Sequence, residues 1–545
     1  MKVTNVHIIL VCLLLGLFTY LTVGSALLES LTFDEIVHIQ EGKNHLISHT
    51  FRIDTNNPPF IRELAVIPLV LGIQHLIPSS LPNMQAFPAR AVIIMLGVLL
   101  GIAVYHTGTR YFGWKAGILG LCLYILEPEI LAHSHYMTQD MGAALLFFLA
   151  YTYFLRVIEK PTPKRIILLS ILCGLLAVTK ITVVLYYIIS IVLYLMVRFT
   201  RVKTSIGKHI WYMASGVFIT LLIIWGTYFF NTSVIIQTGG STDRVSVNIE
   251  QYAVAHGMPW MNGTISTLKT VRMPLGEYIE VIKNTAKRIT IPVRYLFMGV
   301  WYDKPLWYFM PVNWFSKIPL PLFFLFILGL FLGLRKPKDR NITADLIIPI
   351  VAIFLVSSVS RMQPFTRYML PVLPFIIVIA GSTMKYIRKN VLYVGISILM
   401  VWYGLGTLQV FPHFISYTNE SVRLRTIAVP LFMDSNMDWG QGLITFKTYV
   451  DSVNPSSVSF SYFGRDNGAA YGLPADIPYG SYKFNEICAF HEISFPNNTG
   501  PHITAISLSN WFYCGYNLDP EYFSEKIKEY IGDSIFVFQD QSILR

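Results

Sequence analysis

The apolar residues of this chain gather into runs of about 20, the length that carries an α-helix across a bilayer's hydrocarbon core. A backbone in lipid must satisfy its own hydrogen bonds, so such runs have to form helices packed against one another. Eleven are legible, near residues 7–28, 88–106, 116–131, 141–155, 166–178, 182–197, 211–230, 319–334, 342–358, 368–384 and 391–411. The fifth and sixth share one apolar stretch, divided at Thr179-Lys180. Only 13% of the 545 residues are charged, against about 25% in soluble domains. That deficit excludes an ordinary soluble enzyme and a disordered chain, and five cysteines are too few for a disulfide scaffold.

The net charge of +11 would suit a nucleic-acid partner if it were spread over one surface. It is instead confined to alternate loops, the pattern of cytoplasmic segments. Those loops and the N-terminus hold 18 Lys and Arg, among them Arg110, Lys164, Arg201, Lys338 and Lys385, against Glu159 and Asp339. That is +16, which leaves −5 for the rest of the chain. The basicity is a topology signal, and no nucleic-acid partner is expected. The first apolar run exceeds the roughly 7–15 residues of a signal-peptide core, so an uncleaved anchor with a cytoplasmic N-terminus is expected, in the plasma membrane or its equivalent.

Three segments then face outward: 29–87, 231–318 and the tail 412–545. The apolar piece 61–77 is expected to lie at the outer interface, because a crossing there would turn every later basic loop outward. Residues 1–411 form the expected membrane domain and 412–545 a small extracytoplasmic α/β domain. Strand-like runs at 426–432, 458–463, 503–508 and 534–538 alternate with helical runs at 441–450 and 520–531. Cys488 and Cys514 share that domain and could pair there. Sequons at Asn231, Asn262, Asn419 and Asn497 all fall on the outer side.

The residues able to carry chemistry cluster at the outer ends of spans. Asp34 and Glu35 follow the first span, with His38 one turn later. Carboxylates this close to lipid are costly without work or partners. They read as a base with a helper, or as acids capping an interfacial helix. Asp140 is a second carboxylate, in a loop that also carries His133. His133, His135 and Asp140 have metal-donor types, but one short loop supplies few ligands, and no metal site is assigned. Arg90 and Lys180 sit where an anionic partner such as a phosphate would explain them, as would snorkelling. Arg361 and Arg367 are further candidates. Asn56-Asn57-Pro58-Pro59-Phe60 reads as a helix start, and the aromatic run 301–310 as an interfacial belt or a sugar or lipid groove.

Taken together, the Asp34-Glu35 pair, Pro58-Pro59-Phe60, Arg90 in the second span and Asp140 in the second outer loop resemble the GT-C membrane glycosyltransferases. Within that group they resemble the phospholipid carrier-dependent branch of protein O-mannosyltransferases and aminoarabinose transferases. Residues 174–180 around Lys180, 313–321 with Lys317, 367–375, and 434–441 with Asp438-Trp439-Gly440 are similar to segments of that branch. The resemblance runs from Phe33 to Ile379. The Trp-Trp-Asp-Tyr-Gly motif of oligosaccharyltransferases is missing, so en bloc glycan transfer is not expected.

The resemblance implies a polyprenyl- or dolichyl-phosphate sugar as donor, mannose-like first, and inverting attack by an acceptor hydroxyl. Asp34 would be the base, Glu35 its helper, and Asp140 a binder of acceptor or sugar. Arg90 and Lys180 would bind the donor phosphate, and His38, His133, Arg361 and Arg367 the substrates. Whether the acceptor is protein, lipid or glycan stays open, as do an aminosugar or pentose donor and a need for a divalent cation. The rival class is a transporter or flippase, in which the charges would line a path through the membrane.

Overall fold

A computed structural model describes residues 5–51, 56–198, 206–234, 251, 255, 258–290, 295–297, 300–360, 366–387, 389–423, 434–473, 488–495, 498–514 and 527–538. It is a bundle of apolar helices with a small sheet domain formed by the tail. Each of the eleven expected runs coincides with helix. Among the described residues, seven helices are long and apolar enough to cross a membrane singly, or eight if the bent pair Phe309–Lys317 and Leu320–Arg335 counts as one span. Two further apolar helices, Trp114–Ile125 and Ala214–Thr227, are shorter, and some of the expected runs are interrupted. The third stops at Ile125 and restarts as a short helix, Pro128–His133. Pro128 suits the first turn of that helix, and the Glu127 side chain caps it by accepting from the Ile130 amide.

The elements that frame the end of the bundle next to the tail follow the expected order. α1 (Asn5–Leu28) is the first apolar helix, and α2 (Glu35–Ser48) begins at the carboxylate pair. α3 (Phe60–Val70) has only 11 residues, too short to cross, and packs against α2 and against α4 (Pro82–Phe112). Gly42 of α2 allows that approach, since a Cβ there would lie 2.6 Å from the Arg62 carbonyl of α3. The expected break at Thr179-Lys180 is present, between helices Pro163–Ala177 and Ile181–Arg198.

The tail carries a five-stranded sheet in the spatial order His491–Ser494, Pro455–Ser461, Gly500–Ser507, Ile535–Phe538, Ile527–Ile531. Pairing is antiparallel except between the second and third of these. Helix Leu443–Val453 packs Leu443, Phe446 and Val450 onto Val458, Phe460 and Ile503 of one face. The other face meets Trp511 and, from the segment 295–302, Leu296 and Trp301. Trp301 thus packs on the tail instead of joining an interfacial belt.

Two expectations for the tail are corrected. Residues 527–531 are an edge strand, not the end of a helix. Gly532 and Asp533 take φ of 54° and 51°, the left-handed conformation that short hairpin loops use, and the strand pairs back on Ile535–Phe538. Asn419 is a poor glycosylation acceptor, for it is fully buried and its amide donates to the Phe315 and Ile318 carbonyls. The run 426–432 and Asn497 lie outside the described residues, as does the side chain of Asn262.

Cys488 and Cys514 form a disulfide. It closes a loop with a sequence separation of 26, which in the chain-entropy account is worth about 3 kcal/mol. Replacing both cysteines by serine is therefore expected to lower the tail's unfolding free energy by about that amount, read by urea titration of tail tryptophan fluorescence.

Candidate active site

Asp34, His38, Asp140, Lys180 and Arg367 line one cavity of about 320 Å³, together with Asn56, Asn57, Gln139, Arg288, Tyr368 and Arg465. Four cations and two carboxylates therefore face one space. Asp34 occupies the N-cap position of α2 without bonding the helix amides. Its Oδ2 accepts from Arg367 Nη1 at 3.1 Å, and its side chain remains 33% exposed. Burial pushes its carboxyl up, but the Arg367 guanidinium outweighs that and holds it below the usual carboxylate range. It is thus an ionised acceptor at neutral pH. Asp140 opens helix Asp140–Glu159, and its Oδ1 meets Lys180 Nζ at 2.5 Å.

Arg367 is held from the tail side. Its guanidinium carbon lies 4.4 Å from the ring centroid of Trp439, which is 1% exposed. Lys180 Nζ lies 4.2 Å over Tyr368, and the Arg465 guanidinium 3.6 Å over Phe33. Each ring face attracts its cation and helps to hold it in place. The tail also fixes the residues before Asp34. Phe33 donates its amide to the Trp439 carbonyl at 2.8 Å, Ser30 to that of Gln441 at 3.2 Å, and Leu31 to Asp466 Oδ2 at 2.8 Å.

Glu35 and Arg90 do something other than expected. Both are fully buried and form a bidentate pair at 2.8 and 2.7 Å. The remaining N–H groups of Arg90 go to the carbonyls of Ala26, Glu29 and Ser30 at 2.7, 3.0 and 2.8 Å. All five guanidinium N–H groups are then engaged, and Arg90 has no donor left for a phosphate. Glu35 is equally saturated, accepting also from the Thr32 and Met137 amides at 2.8 Å. The pair ties the end of α1, the start of α2 and the loop before Asp140 into one rigid corner.

Of the other candidates, His133 is fully buried, 3.6 Å from Glu129, with its ring against the edge of Trp439. It backs the site and does not line the cavity. Arg361 lies outside the described residues. Among the described residues no group of three or more His, Cys, Asp or Glu is placed to hold a metal ion.

A second cavity of about 330 Å³ adjoins the first and shares Asn56, Asn57, Lys180, Arg288 and Tyr368 with it. Its other walls include Ile181, Leu185, Val356 and Val359. Val359 is 78% exposed, on a helix that is long and apolar enough to span. A charged chamber thus continues into an apolar groove that opens on the bundle's lipid-facing side.

The family profile of dolichyl-phosphate-mannose-protein mannosyltransferase matches residues 68–226. Among solved structures, ArnT from Cupriavidus metallidurans bound to undecaprenyl phosphate superposes with a TM-score of 0.53 at 14% identity, with 99% of each chain covered. The apo form of that protein gives 0.53 at 13% identity over 98% of each chain. The chain thus has the fold of that protein over its whole length. The Archaeoglobus fulgidus oligosaccharyltransferase aligns over 73% of this chain and 55% of its own, with a TM-score of 0.45 at 14% identity. No curated protein has a matching sequence.

Several residues of this cavity had no signal in the sequence. Arg465 comes from the tail, some 400 residues after Asp34, and only the fold brings the two together; Trp439, which the 434–441 segment singled out, stacks behind Arg367. Asn56 and Asn57, which read as a mere helix start, line both cavities. Gln139 was legible in principle as the neighbour of Asp140. Its amide donates to the Pro58 carbonyl at 2.6 Å and links the Pro-Pro segment to the Asp140 loop.

Proposed function

We propose that the protein transfers a single sugar, mannose-like first, from a polyprenyl or dolichyl phosphate to an acceptor hydroxyl on the outer face of the membrane, with inversion. The observation that carries this reading is the charged chamber continuous with a lipid-facing groove. The groove suits a polyprenyl chain, and the shared Lys180 and Arg288 stand where its phosphate would sit. The family profile names a mannosyl donor carried on dolichyl phosphate, which favours mannose. The ArnT comparison, made with undecaprenyl phosphate bound, keeps an aminosugar as the second reading.

Asp34 takes the proton of the acceptor hydroxyl as that oxygen bonds to the anomeric carbon. The bond from that carbon to the phosphate oxygen breaks on the opposite face, and the lipid phosphate departs with its charge met by Lys180 and Arg288. Asp140 orients Lys180 and faces the sugar, and Arg367 positions Asp34. Glu35 and Arg90 hold the corner rigid. Residues 1–411 would then hold most of the chemistry, while the tail, outside the membrane, closes the cavity with Arg465 and backs Arg367 with Trp439. Convergence of Asp34 and Asp140 on one chamber at the helix ends favours an enzyme over a flippase, which would need charges along a transmembrane path.

Two outcomes test this. With a β-linked mannosyl donor, the product should be the α-anomer by NMR, and a β-product contradicts inversion. Lys180→Met should weaken donor use by about 10–100-fold in KM, the loss of a charged hydrogen bond of about 1.5–3 kcal/mol. A donor KM that does not move removes Lys180 from the phosphate site.

A further inference from the structure

His38 lines the cavity one helical turn beyond Asp34. On its far side, Arg62 of α3 donates Nε–H to His38 Nδ1 at 2.8 Å, and both side chains are at least nine-tenths buried. A guanidinium has no acceptor atom and does not lose its proton in proteins. The imidazole nitrogen that meets it must therefore offer a lone pair. A doubly protonated ring would set two N–H groups against each other at that distance. The close packing of Gly42 on the Arg62 backbone keeps the guanidinium from backing away.

We propose that Arg62 is a positioning residue that locks His38 as a neutral imidazole protonated at Nε2, so that His38 never serves this cavity as a second base. Among the described residues the charges around the ring pull both ways. Asp34 and Glu41 on its own helix and Asp140 across the cavity favour a cation, while burial pushes the Glu63 carboxyl beside Arg62 up to about 8 and leaves it largely uncharged at neutral pH. Arg62, Lys180, Arg288, Arg367 and Arg465 oppose one. The direct contact decides between them, because it occupies the nitrogen that a second proton would need. Proton removal is thereby left to Asp34. The inference deepens the transferase reading and rests on it for its consequence, though not for the state of the ring.

Two experiments separate them. Histidine-selective 15N solid-state NMR on the full-length protein, with His38→Gln identifying the signal, needs no substrate. The expected result is an unprotonated Nδ1 and a protonated Nε2, unchanged from about pH 8 to about pH 5, across the range in which free imidazole titrates. A ring that titrates there, or that carries its proton on Nδ1, overturns the proposal whether or not transfer is ever found. In the transfer assay, His38→Gln, whose amide nitrogen can replace Nε2–H, should keep at least tenfold more activity than His38→Asn, whose amide sits at the Nδ1 position. Equal losses overturn it. Arg62→Met should add an acid limb near pH 6.5 to kcat/KM, and Arg62→Lys, which keeps a donor, should remove it again. A profile merely scaled down in Arg62→Met marks a structural role only. A wild type inactive on every lipid-linked sugar sinks the transferase reading, while the NMR result still decides the ring.

Discussion

Asp34→Asn is expected to lower sugar transfer by about 10²–10⁴-fold, the usual contribution of a positioned general base. The loss should appear in kcat, with the donor KM moved little, because the amide keeps the size of the side chain and the cations that meet the phosphate lie elsewhere. Folding should survive, since the Asp34 carboxylate is partly exposed and Arg367 keeps its contact with Trp439. The pH profile carries a second expectation. Arg367 holds the Asp34 carboxyl below its ordinary range, so the base is ionised at neutral pH and is lost only on acidification. The acid limb of kcat/KM that belongs to Asp34 should then fall below about pH 4, the ordinary aspartate value. A limb well above that assigns the base to another group.

Arg90→Met is expected to be the most damaging single change to the fold. It leaves the Glu35 carboxylate buried without its counter-ion and strips three carbonyls of their donor. Breaking one side of a buried ion pair costs about 3–5 kcal/mol, a large share of the roughly 5–15 kcal/mol that stabilises a folded domain. The yield of monodisperse protein in detergent should collapse, and the remainder should melt well below wild type. Arg90→Lys should not rescue it, because an ammonium cannot reproduce the planar fork that meets Glu35 and three carbonyls together. Glu35→Leu combined with Arg90→Met should be less damaging than the sum of the two, since neither partner is then left alone. An Arg90→Met protein that folds normally and only binds donor weakly would return Arg90 to the phosphate site.

These two residues show what the sequence could and could not convey. The cost of placing charge at a membrane surface made Asp34, Glu35 and Arg90 conspicuous, and it correctly implied an anionic partner for Arg90. It could not say that this partner is Glu35 and not a phosphate, since residues 55 positions apart meet only through the fold, in which α3 packs on both α2 and α4. Adjacent residues on a helix point about 100° apart, so Asp34 faces the cavity while Glu35 faces the corner behind it. The helical runs were legible because lipid leaves a long apolar segment few alternatives. The breaks within them depended on local prolines and caps that hydrophobic periodicity averages away. In the tail, 527–531 read as helix because the run before it has helical spacing. Gly532-Asp533 was the signal for a hairpin, and pairing with Ile535–Phe538 overrode the propensity. Arg62 and Arg465 carry no motif, and their importance follows only from what they touch.

The most direct measurement is transfer itself. Purified wild-type protein would be incubated with radiolabelled polyprenyl-phosphate-mannose and an extract of host membranes and secreted proteins, with Asp34→Asn in parallel. The account predicts that label leaves the lipid and appears on a hydroxyl of one acceptor class with wild type and not with the variant. Equal transfer by the two proteins, or label that crosses the membrane still joined to its lipid phosphate, would contradict it.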